Sequence, residues 1–272
     1  MAVSKKGNSS RVSLPEFSSP LAKSPDRDAF LRARETVLSE KVSWSGIGAL
    51  SEKTLHKILK LYIEPNTDMH EVNHLGSVAD IKNFEGVFEI QTRSYEKLLP
   101  KLRKMLPEGK VTVVCPLATD KSLCWIDEES GETSSPRRSN KKENIYDAFK
   151  MLFGIRDVIN NESLSVRILF LEVMDFRSLN GYGKDKKHRS TRIERIPNDI
   201  LCELTLNCAD DYESFLPESI GNEFVASEFS KAIKRTSRYS FYILKLLVKA
   251  GAIIESGKKG RATLYRRTNP IL

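Results

Sequence analysis

Two short apolar runs, Val78-Ala79-Asp80-Ile81 and Val87-Phe88-Glu89-Ile90-Gln91, flank the turn-forming Asn83-Phe84-Glu85-Gly86, and no other feature constrains the fold of this chain as closely. A hairpin closed over Phe84-Glu85 pairs Asn83 with Gly86, Lys82 with Val87, Ile81 with Phe88 and Asp80 with Glu89. Two acids then become cross-strand neighbours with Cβ atoms about 4.5–5.5 Å apart. Like charges at that spacing destabilise a sheet unless a cation or a shared proton offsets the repulsion, and a divalent metal is the natural remedy. Gln91 projects from the same strand face as Glu89 and would reach the same place.

The 272 residues and their 40% apolar content suffice for one large domain or for a core domain plus a small module. No run reaches the roughly 18 apolar residues that a membrane span needs, and the N-terminus lacks an apolar signal core, so the expectation is a cytoplasmic protein with no membrane partner. Cys115, Cys124, Cys202 and Cys208 form no CxxC pair and read as reduced thiols. The charge is more informative. Between Lys231 and Arg267 stand eleven basic residues and one acid, Glu255, a local net of +10 against +8 for the whole chain. Basicity concentrated in one structured segment points to a polyanionic partner.

Residues 1–27, rich in Ser, Lys and Pro, have the composition of a disordered tail. Helical spacing follows over Asp28–Lys41 and over Ser51–Ile63, the latter with Ser51 as N-cap and Pro65 beyond its end. After the hairpin, Leu98, Leu99, Leu102, Met105 and Leu106 alternate with Lys97, Lys101, Arg103 and Lys104 in a basic amphipathic helix that Pro100 begins or kinks. Val111–Val114 and Leu123–Ile126 read as separate strands, Glu128–Glu143 as a loop, and Ile145 to Ile155 as a helix. Val166–Val173 is apolar enough for a buried strand. A basic loop covers Asn180–Arg189. The expected division is 28–196 as an α/β domain, 197–221 as a linker or first helix, and 222–272 as a C-terminal module.

Helix, strand with Asp, strand with Glu-x-Gln, basic helix, strand: this order over Ser51–Asp127 resembles the PD-(D/E)XK, or restriction-endonuclease-like, nuclease superfamily. The resemblance implies a mixed sheet flanked by helices and a Mg²⁺- or Mn²⁺-dependent DNA endonuclease. It also implies Asp80, Glu89 and the Ile90 carbonyl as metal ligands, with Glu71 as a further carboxylate. Gln91 then takes the catalytic position usually held by Lys, and Ala79 stands where the family has Pro. Hard oxygen ligands suit Mg²⁺, which lowers the pKa of a bound water and neutralises charge on a phosphodiester.

A rival motif overlaps these residues. His70-Glu71-Val72-Asn73-His74 matches HExxH, and Asp80 falls where a zincin variant has its third Zn²⁺ ligand, with Glu71 as general base. That reading, a metalloprotease, needs both histidines on one face of a helix running from Thr67 to Gly76.

The last fifty residues look like a winged helix-turn-helix. Phe224–Ile233 has a helical stripe, a second helix runs from Ser237 to Lys249, and a β-hairpin follows with Lys258-Lys259-Gly260-Arg261 at its tip. In that architecture Arg238, Tyr239 and Ser240 enter the major groove of double-stranded DNA, while Lys258, Lys259 and Arg261 meet phosphates. The sequence thus leads to a DNA endonuclease, with a catalytically inactive DNA-binding regulator as the alternative and a zinc protease behind both. A homodimer is compatible with each.

Overall fold

Residues 18–42, 53–127, 130–178 and 191–269 are described by the structure, a computed structural model. In chain order the elements are β1 (Ala22–Lys23), α1 (Arg27–Val42), α2 (Lys53–Ile63), β2 (His70–His74), β3 (Ser77–Asn83), β4 (Gly86–Ile90), α3 (Leu99–Met105), β5 (Val111–Ile126), β6 (Arg137–Arg138) and α4 (Ile145–Leu152). They continue with β7 (Leu164–Ser178), β8 (Thr191–Leu206), α5 (Ala209–Glu213), β9 (Glu223–Val225), α6 (Ala226–Ala232), α7 (Ser237–Ala250), β10 (Ile253–Lys259) and β11 (Ala262–Arg267).

The chain is α/β, with a large mixed sheet in the order β1-β8-β7-β5-β4-β3-β2 and β6 added to the far part of β5. β4, β5 and β7 run parallel, joined by crossovers through α3 and α4, and the remaining pairings are antiparallel. Alternate side chains serve two cores. One face carries Ile81, Phe88, Ile90, Val114, Leu169 and Leu171 against Phe30 and Val37 of α1 and Ile58 and Leu59 of α2. The other carries Val87, Val111, Val113 and Ile168 against Leu102 and Met105 of α3 and Phe149 and Leu152 of α4. No helix among the described residues is long and apolar enough to cross a membrane.

The hairpin register matches the expectation for three of the four pairs, Ile81 opposing Phe88, Lys82 opposing Val87 and Asn83 opposing Gly86, while the expected Asp80–Glu89 pair lies beyond the end of the ladder. Several other expectations are corrected. Residues 18–27 are not all tail, because β1 pairs with Leu204 and Glu203 of β8, and Asp26 caps α1 through Ala29 N–H at 2.8 Å. The two short strands at 111–114 and 123–126 are the ends of one 16-residue strand, β5. Residues 197–206, expected in a linker, complete β8, with Pro197 beside a bulge where Glu172 faces Asp199 and Val173 faces Pro197. Ser51 and the loop 180–189 lie outside the described residues.

C-terminal to β8, α6 and α7 pack on a three-stranded sheet ordered β10-β11-β9. Thr236 caps α7, accepting from Tyr239 N–H at 3.3 Å, and Gly251 ends it at φ +81°, a left-handed conformation that suits Gly. Its apolar face, Ile243, Leu244, Leu246 and Leu247, belongs to the same core as α3, α4 and their face of the large sheet.

Candidate functional site

The site grows from the point where β3 leaves β4. Val87 and Gln91 donate their N–H groups to Lys110 O (3.0 Å) and Val114 O (2.9 Å) on β5. By alternation the N–H of Ile90 faces β3. The β3–β4 ladder stops at Ile81–Phe88, however, and Ile90 N–H donates instead to the Asp80 carboxylate at 2.7 Å. A side chain has replaced a strand carbonyl, and the two strands splay into a fork.

The other edge of β4 ends for a complementary reason. Continuing the parallel ladder with β5 would require a donor at position 116, which is Pro116. Gln91 O instead accepts from the hydroxyl of Tyr95, at 2.5 Å. Beyond it, Ala118 N–H finds the Glu143 carboxylate at 2.8 Å. Asp80 and Pro116 together terminate β4 just past Glu89.

Glu89 is 4% exposed. Burial, and to a lesser degree the charge of Asp80, push its carboxyl up to about 7, against the pull of Lys101. Lys101 is a partner that the hairpin alone did not reveal. From the first turns of α3 its Nζ reaches 2.5 Å from Glu89 Oε1 and donates to Val78 O at 2.5 Å, bridging the two arms of the fork. Its approach to Glu89 is ionic, off the line of a well-aligned hydrogen bond. The cation that like-charged neighbours demand is therefore supplied, at least in part, by the protein itself.

Gln91 does not join this group. Its side-chain amide donates to the carbonyls of Arg93 and, at 3.4 Å, Ser94 in the following turn, which corrects its expected place beside Glu89. Glu71, directly across β2 from Asp80 by register, has φ +52° and turns to Lys60 of α2 at 2.7 Å. It belongs with the opposite helical layer and is not a third carboxylate at the fork. The Thr67–Gly76 helix required for zinc is replaced by a 3-10 turn, Thr67–Met69, and strand β2. On a strand His70 and His74 are separated by about 3.3 Å per residue, twice the helical rise. Each has its own neighbour: His70 Nε2 lies 2.7 Å from Glu64 O, and His74 Nδ1 lies 3.1 Å from Lys82 Nζ. Among the described residues no three His, Cys, Asp or Glu side chains cluster in a way that could hold a metal.

Two carboxylates and one backbone carbonyl nevertheless fit a hard divalent ion, because Mg²⁺ keeps most of its waters and takes only one or two protein carboxylates. Asp80 and Glu89 meet that requirement. The Ile90 carbonyl, on the same edge of β4 as its N–H, faces the open fork.

The C-terminal residues divide. Lys258, Lys259 and Arg261 are exposed at the β10–β11 tip, with Lys259 Nζ 3.4 Å from Glu228. Arg238 is exposed. Ser240 is fully buried, which corrects its assignment to DNA contact. Tyr239 is directed inward: its hydroxyl donates to Asp147 of α4, and Arg235 joins the same carboxylate at 3.0 Å. Asp147 also accepts from Asn144 N–H at 3.0 Å in the capping box of α4, so one side chain fixes a helix start and the seat of α7.

A family model described as a domain of unknown function (DUF8091) matches residues 53–207, more than half of the chain. The chain belongs to the DUF8091 family. The matched segment runs from the start of α2 to the end of β8 and contains the whole fork, Lys101 included, while the C-terminal unit lies beyond it. A protein of Treponema pallidum (strain Nichols), described as uncharacterized, is 27% identical over 229 residues, covering 82% of this chain and 88% of that protein. No solved structure matches.

Proposed function

We propose that this DUF8091 protein is a metal-dependent nuclease of the restriction-endonuclease-like type, hydrolysing phosphodiesters of DNA that a C-terminal winged-helix unit helps to hold. The observation that carries the reading is the β3–β4 fork, where Asp80 accepts from Ile90 N–H close enough for its charge to act on Glu89, and Lys101 links Glu89 to β3. Asp80, Glu89 and the Ile90 carbonyl would hold Mg²⁺ or Mn²⁺, which when bound neutralises phosphate charge and makes water acidic.

The chain's own residues supply the rest. Lys101, on a helix, brings the positive charge that Gln91 lacks, close enough to Glu89 to orient a water or meet a phosphoryl oxygen. Lys258, Lys259 and Arg261 would take backbone phosphates of a duplex. Glu89 must be ionised to hold the ion, so metal affinity should rise with pH as this buried carboxyl, held at about 7 without metal, loses its proton.

The test is cleavage of supercoiled and linear DNA by purified protein with Mg²⁺ or Mn²⁺, beside Asp80→Ala, Glu89→Ala and Lys101→Met. The expected result is loss of cleavage by at least two orders of magnitude in each variant with DNA binding retained. Equal cleavage by all four proteins would overturn the reading. One observation favours a second reading, a non-cleaving DNA-binding protein: the Lys101 ammonium already contacts Glu89 and would compete with a metal there. Persistent, salt-sensitive binding with no cleavage under any divalent ion would select it.

A further inference from the structure

A cleft of about 570 Å³ opens between the N-terminal end of α7, the α4 end with its following 3-10 turn, and the turn Ser94–Glu96. Lys150, Arg156 and Arg238 line it, with Glu96 as the single carboxylate, together with the rings of Tyr95, Phe153, Tyr239 and Tyr242. Its wall is built by close approach. A Cβ on Gly154 would lie 2.6 Å from Glu96 N and 2.9 Å from Tyr95 C, so only glycine lets the two turns touch. Tyr95 is tied back to Gln91 O, two residues past Glu89, so the cleft wall continues directly from the strand that carries the fork.

Two of these rings, those of Tyr239 and Phe153, have a cation beside them. Lys150 Nζ is 4.7 Å from the Tyr239 ring centre, and the Arg156 guanidinium is 4.1 Å from that of Phe153. Tyr242 packs edge-on to Phe153 with centroids 5.0 Å apart, leaving both half-exposed. A ligand that satisfies the cleft must carry negative charge and a flat aromatic group together. Nucleotides do, and proteins that hold single strands combine a cationic path with aromatic surfaces in this way. The volume falls in the range of pockets that enclose a molecule of that size.

We infer that the cleft between α4 and α7 binds one nucleotide of a single-stranded DNA segment, with phosphate at Lys150, Arg156 and Arg238 and the base against Phe153, Tyr239 and Tyr242. The inference rests on the nucleic-acid reading above and adds to it that the substrate has an unpaired end or branch. Duplex is held by the β10–β11 tip, and the strand that leaves it enters the cleft.

The test is fluorescence anisotropy at 50 mM salt with three probes: a blunt duplex, the same duplex with a ten-nucleotide overhang, and dAMP as competitor. Lys150→Ala removes an exposed cation, and Tyr242→Ala removes a ring. The paired control, Lys258→Ala/Lys259→Ala, alters the tip. Unchanged circular dichroism and thermal unfolding establish that each variant is folded.

The expected result is an overhang preference of at least five-fold in the wild type. Both cleft variants abolish it while changing blunt-duplex affinity less than two-fold, and the tip variant weakens both probes. Equal loss in the cleft variants for both duplexes, no overhang preference in the wild type, or dAMP competing as strongly as the oligonucleotide would each overturn the inference while the nucleic-acid reading stands. Absence of binding to every DNA would overturn both.

Discussion

Replacing Glu89 with Gln preserves shape and removes one titration, and its effect can be worked from the fork. In the folded protein the carboxyl is held at about 7, against its ordinary 4.5, chiefly by burial. The folded state therefore keeps a proton that the unfolded state has released throughout that interval. The associated stability is fully present below 4.5 and is lost as pH rises through 7. At about 1.36 kcal/mol per pH unit, wild type should lose roughly 2.5 kcal/mol between pH 5 and pH 8 relative to Glu89→Gln. Parallel urea unfolding series of the two proteins at half-unit pH steps measure this difference directly, since all other titrating groups are shared. A stability difference that stays constant with pH would refute the burial argument and with it the claim that the fork strains its own carboxylate.

Gly154→Ala should cost about 1–3 kcal/mol, because the added methyl meets the backbone of Tyr95 and Glu96; thermal unfolding checks this, and an unchanged midpoint would contradict the close approach. Asp175, 1% exposed, is clamped by Arg195 at 2.6 and 3.0 Å, with Arg192 and Lys121 near enough to add their pull, and its carboxyl is held below the usual range. Asp175→Ala should therefore destabilise by about 3–5 kcal/mol at neutral pH. That loss should shrink as pH falls below 3.8 through the lowered folded value, which denaturation at pH 7 and pH 3 would reveal. Lys258→Ala/Lys259→Ala should reduce the slope of log affinity for duplex against log salt by about two, and an unaltered slope would remove the tip from the duplex contact.

The register of the hairpin was legible because Asn83 and Gly86 fix its turn and a two-residue period does the rest. Lys101 was not, although its helix was. Its meeting with Glu89 depends on the parallel crossover that carries α3 over the end of β4, a relation between elements that no local spacing encodes. The HExxH pattern misled for the opposite reason: the same five residues hold a strand, because β3 offers Val72 and Asn73 a ladder that their own spacing does not show. Prolines hid the long strands. Pro116 interrupts the apolar run of β5 and Pro197 stands among polar residues of β8, yet Pro116 sits past the end of β4 and Pro197 beside a bulge, so neither needs a missing ladder donor. The inward turn of Tyr239 was likewise invisible, since its partner Asp147 lies 92 residues away.

The seat of α7 on α4 has a consequence for engineering. Because Asp147 secures α7 through Tyr239 and Arg235, and Leu244 and Leu247 share their core with Phe149, the C-terminal unit is not a cassette. Expressed alone it would expose an apolar seam, and exchanging it between relatives would transplant a mismatched joint. If the proposed nucleic-acid reading holds, a change of target preference would be made in place, on the tip or at the rim of the cleft, with the buried side of α7 left untouched.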